Sequence, residues 1–269
     1  MSRKASTLAA NTFLRKASIL VAGTGVYGTT VYFTYHYLKM SKEQAKIPSD
    51  LSYVNSPQRT EQFQKVAGCY DDCIGRDELF MGINLLRRAL IYFHASGTVL
   101  EVGAGTSRNL PFYRKAVDRV ILTDASDQML EETRKKIQAM SPNDRRRFAV
   151  MTADAAKLDL PDDAFDTVVD TFGLCSYDDP VVVLRELSRV CKPNGKILLL
   201  EHGRSKTWDF VTNHLDKYAE QHAANWGCVW NRDLDHIIDT AGVGVEILHR
   251  WHFGTTYYMV CRPIERGDR

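Results

Sequence analysis

Five short, almost uninterrupted apolar runs between residues 98 and 202 constrain the fold more than any other feature of the chain. They are TVLEVG (98–103), RVILTD (119–124), FAVMTAD (148–154), FDTVVDTF (165–172) and KILLLEH (196–202). A strand that is apolar on both sides needs cover on both sides, and helices between successive strands provide it. The alternation predicts an α/β protein built on a doubly wound parallel sheet. Helices are expected near 107–116, over 128–138, and over 180–190, the last ending before the turn Lys192-Pro193-Asn194-Gly195. Upstream, Asp77 is placed to cap a helix that carries Leu79, Ile83, Leu86, Leu90 and Ile91 at helical spacing. Downstream, helices are expected over 208–224 and 231–240, followed by two strands, VGVEILHR and TTYYMVCR.

The opening of the chain follows other rules. Residues 1–16, MSRKASTLAANTFLRK, are basic, free of acids and rich in Ser, Thr and Ala, which is the composition of a mitochondrial targeting segment. Residues 17–38 carry no charge, are bracketed by Lys16 and Lys39, and gather Tyr27, Tyr32, Tyr35 and Tyr37 toward one end. A helix of about 20 residues spans roughly 30 Å, so this stretch is expected to cross a membrane once. Gly23, Gly25 and Gly28 match the spacing of a dinucleotide-binding turn, but neither an amphipathic helix nor a suitably placed acid follows. Those glycines suit the close approach of another membrane helix. Residues 39–64 are polar, contain Pro48 and Pro57, and read as a linker to a folded domain over 65–269.

Composition narrows the functions. A net charge of +2 does not describe a nucleic-acid-binding surface, and the run Arg145-Arg146-Arg147 reads as a solvated loop. The six cysteines show no framework spacing. Cys69 and Cys73 fall one helical turn apart without a histidine nearby, which makes a poor zinc pair, so no metal site is expected.

The chemistry concentrates in Val99-Leu100-Glu101-Val102-Gly103-Ala104-Gly105-Thr106-Ser107. Ligands of open α/β sheets sit beyond the carboxyl ends of the strands. Gly103 and Gly105 allow a tight turn and a close backbone approach to a ligand. Glu101 ends a buried strand, where an unpaired carboxylate is costly. A cationic ligand group such as an amino-acid ammonium offsets that cost, whereas a pyrophosphate is repelled. Asp124 ends the second run, suited to both hydroxyls of a ribose, and Asp154 ends the third, suited to an adenine amino group with the Ala155 N–H beside it. Met129 and Leu130 are placed to pack on that ring. Each acid alone has a plainer reading, as helix cap, turn residue or satisfied buried carboxylate. Together they point to S-adenosylmethionine.

Here the chain resembles a known family. EVGAGTSRNLPFY, LTDASDQMLEETRKK, DAAKLDLPDDAFDTVV and LRELSRVCKPNGKILLLEHG look like class I S-adenosylmethionine-dependent methyltransferases, over about residues 65–203. Within that class they are similar to quinone-biosynthesis C-methyltransferases and methyltransferase-like thiol methyltransferases. The N-terminal anchor, FMGINLLRRAL, NWGCVWNRDLDHIIDTAG and HFGTTYYMV resemble the Oms-type mitochondrial inner-membrane methyltransferase-like proteins of fungi. The resemblance implies a Rossmann-like sheet closed by an antiparallel strand pair. It also implies cofactor binding through Glu101, Gly103, Gly105, Asp124 and Asp154, with Thr106, Ala125, Met129, Ala155 and Thr171 completing the expected contacts. Ser107 departs from the glycine that many relatives carry and bears on the geometry of the loop.

The expected function is methyl transfer beside a mitochondrial inner membrane, to an acceptor that is a small molecule or quinone-like lipid. Two alternatives stay open: a membrane-bound assembly or chaperone-like factor that binds cofactor without turnover, and a protein or RNA methyltransferase. Inner-membrane protein partners belong with the first of these. Phe172, Cys175, Trp226, Trp230 and His252 to Thr255 are candidates for the acceptor side. His202 is expected either as a base or substrate orienter, or as a locally bonded strand-end histidine.

Overall fold

In the computed structural model the described residues are 56–265, so the targeting segment, the membrane span and most of the linker predicted above lie outside them. Among the described residues, no helix is long and apolar enough to cross a membrane.

Seven strands form one sheet: β1 (Gly97–Val102), β2 (Val117–Asp124), β3 (Phe148–Thr152), β4 (Phe165–Thr171), β5 (Cys191–His202), β6 (Gly244–Trp251) and β7 (Thr256–Arg262). Their order is β3-β2-β1-β4-β5-β7-β6. The first five are parallel, while β7 runs antiparallel between β5 and β6. The chain reverses its winding direction between β1 and β4, which opens a crevice at their carboxyl ends.

The expected double apolar character of the strands is visible in β5. Ile197 and Leu199 belong to one core, with Val183, Leu184 and Leu187 of α6 (Pro180–Val190) and Leu234 and Ile238 of α9 (Leu234–Ala241). Leu198 and Leu200 belong to the opposite core, with Leu90 and Ile91 of α3 (Ile83–His94). Truncating such a leucine to alanine costs about 2–5 kcal/mol. Local signals set the helix starts. Asp179 accepts from the N–H groups of Val181 and Val182 with Pro180 at the first helical position, and Asp233 accepts from His236.

Several expected elements differ. α1 (Ser56–Val66) begins inside the predicted linker. The helix expected from Asp77 is two, α2 (Tyr70–Phe80) and α3, broken where Gly82 adopts a left-handed φ of 69°. The helix expected over 107–116 is a turn followed by one 3-10 segment, Leu110–Phe112. Ser107 there is itself left-handed (φ 57°), which stops a helix at its start. α4 (Asp127–Gln138) and the single turn α5 (Pro142–Arg145) follow. The predicted long helix at 208–224 is split into α7 (Asp209–Lys217) and α8 (Ala219–Trp226).

Candidate functional site

The crevice is lined first by the turn after β1. Gly103 and Gly105 take φ values of 54° and 55°, which only glycine adopts without strain. A Cβ on Gly103 would fall 2.6 Å from the Tyr177 hydroxyl, but one on Gly105 would meet nothing within 4 Å. Gly105 therefore faces open space and is required by its backbone conformation alone.

The turn is fixed from three sides. The Gly105 N–H donates to Asp124 Oδ2 at 2.8 Å, and the Ser126 N–H donates to Asp124 Oδ1 at 2.8 Å. Burial pushes the Asp124 carboxyl up, against these backbone donors. Ser107 Oγ donates to Thr133 Oγ1 (2.8 Å), which donates to the Gly105 carbonyl (2.9 Å). The serine thus holds the left-handed turn that a glycine would, with its hydroxyl bonded inward. Thr106 donates to Asp71 of α2 (2.7 Å), and Lys136 donates to the Thr106 carbonyl (2.6 Å).

The adenine-side candidates follow. Ala125 is exposed at the start of the Ser126-capped helix, whereas Met129 and Leu130 are buried beneath it. Asp154 lies two residues beyond the end of β3 rather than ending the strand. It is exposed and accepts from the Ala156 N–H (2.9 Å), with Ala155 buried behind it.

The expectation for Glu101 requires correction. The residue is buried, and both its carboxylate oxygens have partners within the chain. Tyr113 donates its hydroxyl to Oε2 (2.5 Å) and Asn109 donates to Oε1 (3.0 Å). Burial pushes its carboxyl up to about 7, opposed by those two donors and by Arg87. Arg87, on the buried stripe of α3, donates to Thr171 Oγ1 (2.6 Å) and pairs with Glu78 (2.8 Å). Arg108 bridges Glu78 and Asp71. Thr171 therefore belongs to an internal network that ties α2 to the strand ends, not to an open wall.

Asp170, one residue earlier on β4, was not among the expected contacts. It is fully buried, and its Oδ2 has no hydrogen-bond partner; the same holds for Glu201 and its Oε2 on β5. Glu201 Oε1 accepts from the Gly173 N–H (3.2 Å), and Asp170 Oδ1 accepts from the Tyr177 hydroxyl (3.4 Å). Burial pushes both well above the usual range, with Cys175 and Glu101 adding to it at Asp170, and Asp170 and Cys175 at Glu201. The only sequence signal for the pair was an acid in each of two otherwise apolar runs.

On the other side of this pair stand Cys175, His202 and Cys228. His202 Nε2 lies 2.8 Å from Cys228 Sγ, and the His202 ring meets Phe172 edge-on at 5.4 Å. The hydrogen bond with Cys228 holds the Cys175 thiol well below its usual range, with His202 adding to the effect. Burial lowers His202, but Cys175 outweighs it and the net shift is upward. Cys228 was not anticipated. His252 turns out to be structural: its Nε2–H donates to the Met81 carbonyl (2.8 Å) and its Nδ1 accepts from Thr256 (2.9 Å). Trp230 donates to the Leu215 carbonyl and stacks on His222, and Trp226 is partly exposed at the end of α8.

Known proteins with this arrangement agree on its kind. The sequence profile of the family described as "Methyltransferase domain" matches residues 100–199. A mitochondrial protein of Saccharomyces cerevisiae named Methyltransferase OMS1 is 34% identical over 225 residues, covering 78% of this chain and 46% of the relative. The ubiquinone/menaquinone biosynthesis C-methyltransferase UbiE of Enterobacter sp. (strain 638) is 31% identical over 179 residues, covering 61% of this chain and 69% of the relative. The match thus spans about half the length of the yeast protein. A crystal structure of a SAM-dependent methyltransferase from Aquifex aeolicus superposes with a TM-score of 0.55 at 20% identity, over 75% of this chain and 98% of that one.

Proposed function

This chain belongs to the class I S-adenosylmethionine-dependent methyltransferases, and from that premise we propose that it methylates a small apolar or quinone-like lipid acceptor beside a mitochondrial inner membrane. The observation that carries the reading is Gly105: left-handed, open above, and pinned by Asp124 at 2.8 Å. This is a cradle for a ligand that the backbone must approach closely. The unpartnered Oδ2 of buried Asp170, near Gly103, fits the ammonium end of the same ligand.

In this reading Gly103, Gly105 and Thr106 hold the amino-acid portion. Asp124 and Ala125 hold the ribose, and Met129, Asp154 and Ala155 border the adenine. Glu101 and Thr171 act one step back, keeping Asn109 and the turn in place. S-adenosylmethionine bound there supplies an already activated methyl group, so the protein's main tasks are to align the acceptor and exclude water. The half of the crevice toward β5 serves the acceptor. Because His202 Nε2 is engaged with Cys228, we assign His202 an orienting role in preference to that of a free base. The quinone-biosynthesis relative favours an apolar acceptor.

The mitochondrial relative and the acid-free basic opening support a mitochondrial location, with residues 17–38 as a single membrane anchor. Alkaline extraction of mitochondrial membranes tests the anchor: release of the full chain into the soluble fraction would refute it.

The cofactor reading is tested by calorimetry on the full chain with S-adenosylmethionine and S-adenosylhomocysteine. Both should bind, and Asp124→Ala should weaken each at least ~10-fold, about 1.4 kcal/mol. A folded chain that binds neither ligand, or an Asp124→Ala chain that binds as well as the parent, would overturn the assignment.

A further inference from the structure

Three soft donor groups that are far apart in the chain meet on the acceptor side of the crevice. Cys175 follows β4, His202 ends β5, and Cys228 comes just after the left-handed Gly227 that terminates α8. Cys175 Sγ, His202 Nε2 and Cys228 Sγ all lie within 4.8 Å of one another. Both cysteines are buried.

The scaffold around them is fixed. The Val229 N–H donates to the Cys175 carbonyl at 2.9 Å, which ties the Cys228 segment directly to the Cys175 loop. His202 is in register with Thr256 of β7. Donor atoms around a tetrahedral zinc ion, at about 2.3 Å for sulfur and about 2.0–2.1 Å for nitrogen, are about 3.5–3.8 Å apart. The present spacing, from 2.8 Å to no more than 4.8 Å, brackets that value.

A second observation points the same way. Glu201, the residue before His202 on β5, is a fully buried acid whose Oε2 has no hydrogen-bond partner. Burying such a group without a partner is costly, and a cation held beside it offsets that cost.

We propose that Cys175, His202 and Cys228 form a zinc site with two sulfur ligands and one nitrogen ligand. A donor set of two thiolates and an imidazole selects zinc over magnesium, calcium or manganese, which prefer oxygen. As the ion binds, the two protons held among Cys175, His202 and Cys228 leave to solvent; two thiolates and a neutral imidazole then balance the charge of the ion. No electron is transferred. Three protein ligands leave a fourth position for water or for a heteroatom of the acceptor, the pattern of zinc sites that act on a bound molecule. Cys69 and Cys73, exposed with their sulfurs 3.6 Å apart, belong to no group of three metal-ligating side chains among the described residues and provide an internal control.

The test uses the full chain, purified under reducing conditions, stripped with a chelator and titrated with cobalt(II). This readout needs no cofactor, so it stands or falls apart from the methyl-transfer reading. One equivalent of cobalt should produce the visible bands of a tetrahedral site and near-ultraviolet sulfur-to-cobalt charge transfer. One equivalent of zinc should displace them. Cys228→Ser and His202→Ala should each weaken uptake more than about 100-fold, while the double variant Cys69→Ser/Cys73→Ser leaves it unchanged. Circular dichroism confirms that each variant is folded, and His202→Gln replaces any variant that is not. A folded parent that takes up no cobalt, bands that survive Cys228→Ser but vanish in the Cys69/Cys73 variant, or a Cys175–Cys228 disulfide in metal-free protein isolated from cells would each overturn the proposal.

Discussion

Replacing Glu101 with glutamine should make the domain's stability less sensitive to pH, by an amount the structure fixes. The Glu101 carboxyl is fully enclosed and titrates at about 7, against an ordinary value of 4.5. Between those two pH values the folded chain binds a proton that the unfolded chain has released. Stability therefore falls as pH rises through that window: the contribution is complete below pH 4.5 and gone above about 7. Each pH unit crossed inside the window costs about 1.4 kcal/mol, so Glu101 accounts for between about 2 and 3 kcal/mol lost from about pH 5 to about pH 8. Glutamine keeps an acceptor for Asn109, and its amide can donate to the Tyr113 oxygen once that hydroxyl turns. The network therefore survives without the titration. All four tryptophans lie between residues 208 and 251, so their fluorescence reports unfolding of this domain in urea. Parent and Glu101→Gln chains should differ in their loss over this pH range by that amount. The contribution of Glu201 is common to both chains and cancels, whereas the part of the Asp170 shift that comes from Glu101 is lost with it and adds to the difference. Equal losses in the two chains would refute the reasoning, because Glu101 would then be ionised in the folded state at little cost.

Two further perturbations probe the same region. Arg87→Met keeps the aliphatic stem but removes the charge that faces Glu78, Thr171 and Glu101, and urea titration should register a loss of about 3 kcal/mol or more, the range for breaking a buried pair; a change under about 1 kcal/mol would mean that Arg108 alone satisfies Glu78. Gly173→Ala would put a Cβ 2.1 Å from Asp170 Oδ1 and 2.6 Å from the Tyr177 hydroxyl, so Asp170 must move. Calorimetry should show S-adenosylmethionine binding weakened at least ~10-fold, and unchanged affinity would separate Asp170 from the ligand.

The strands were legible because burial on both faces leaves almost continuous apolar runs, and Asp124 because it ends such a run after a glycine turn. The loop after that turn was not. SRNLPFYRK has the composition of a helix, but Ser107 turns left-handed, and Asn109 and Tyr113 fold inward to Glu101. Sequence reasoning assigned the need of Glu101 to a ligand because its partners lie 8 and 12 residues further on and in α3. One sign was available: Arg87 shares the stripe of Ile83, Leu90 and Ile91, and a lone arginine at a core position implies a buried acid nearby. His252 resembled an acceptor-side histidine only because nothing local reveals that it reaches Met81, 171 residues away. The Cys175–His202–Cys228 cluster is invisible to spacing rules for a similar reason: a strand, three helices and their loops separate its members.

The place of β7 in the sheet sets an order in time. Synthesis delivers β1 to β4 first, and with them Gly103, Gly105, Asp124, Asp154 and Asp170, so the residues proposed to hold the cofactor are all in the chain by Asp170. β7 lies between β5 and β6 and enters the chain more than eighty residues later. Until it slides in against His202, the acceptor half has no wall. Pairing over such sequence distances is slow. In the proposed reading a nascent chain thus holds its cofactor cradle beside an unfinished acceptor site, and a stop codon ahead of Thr256 would leave the molecule permanently at that stage.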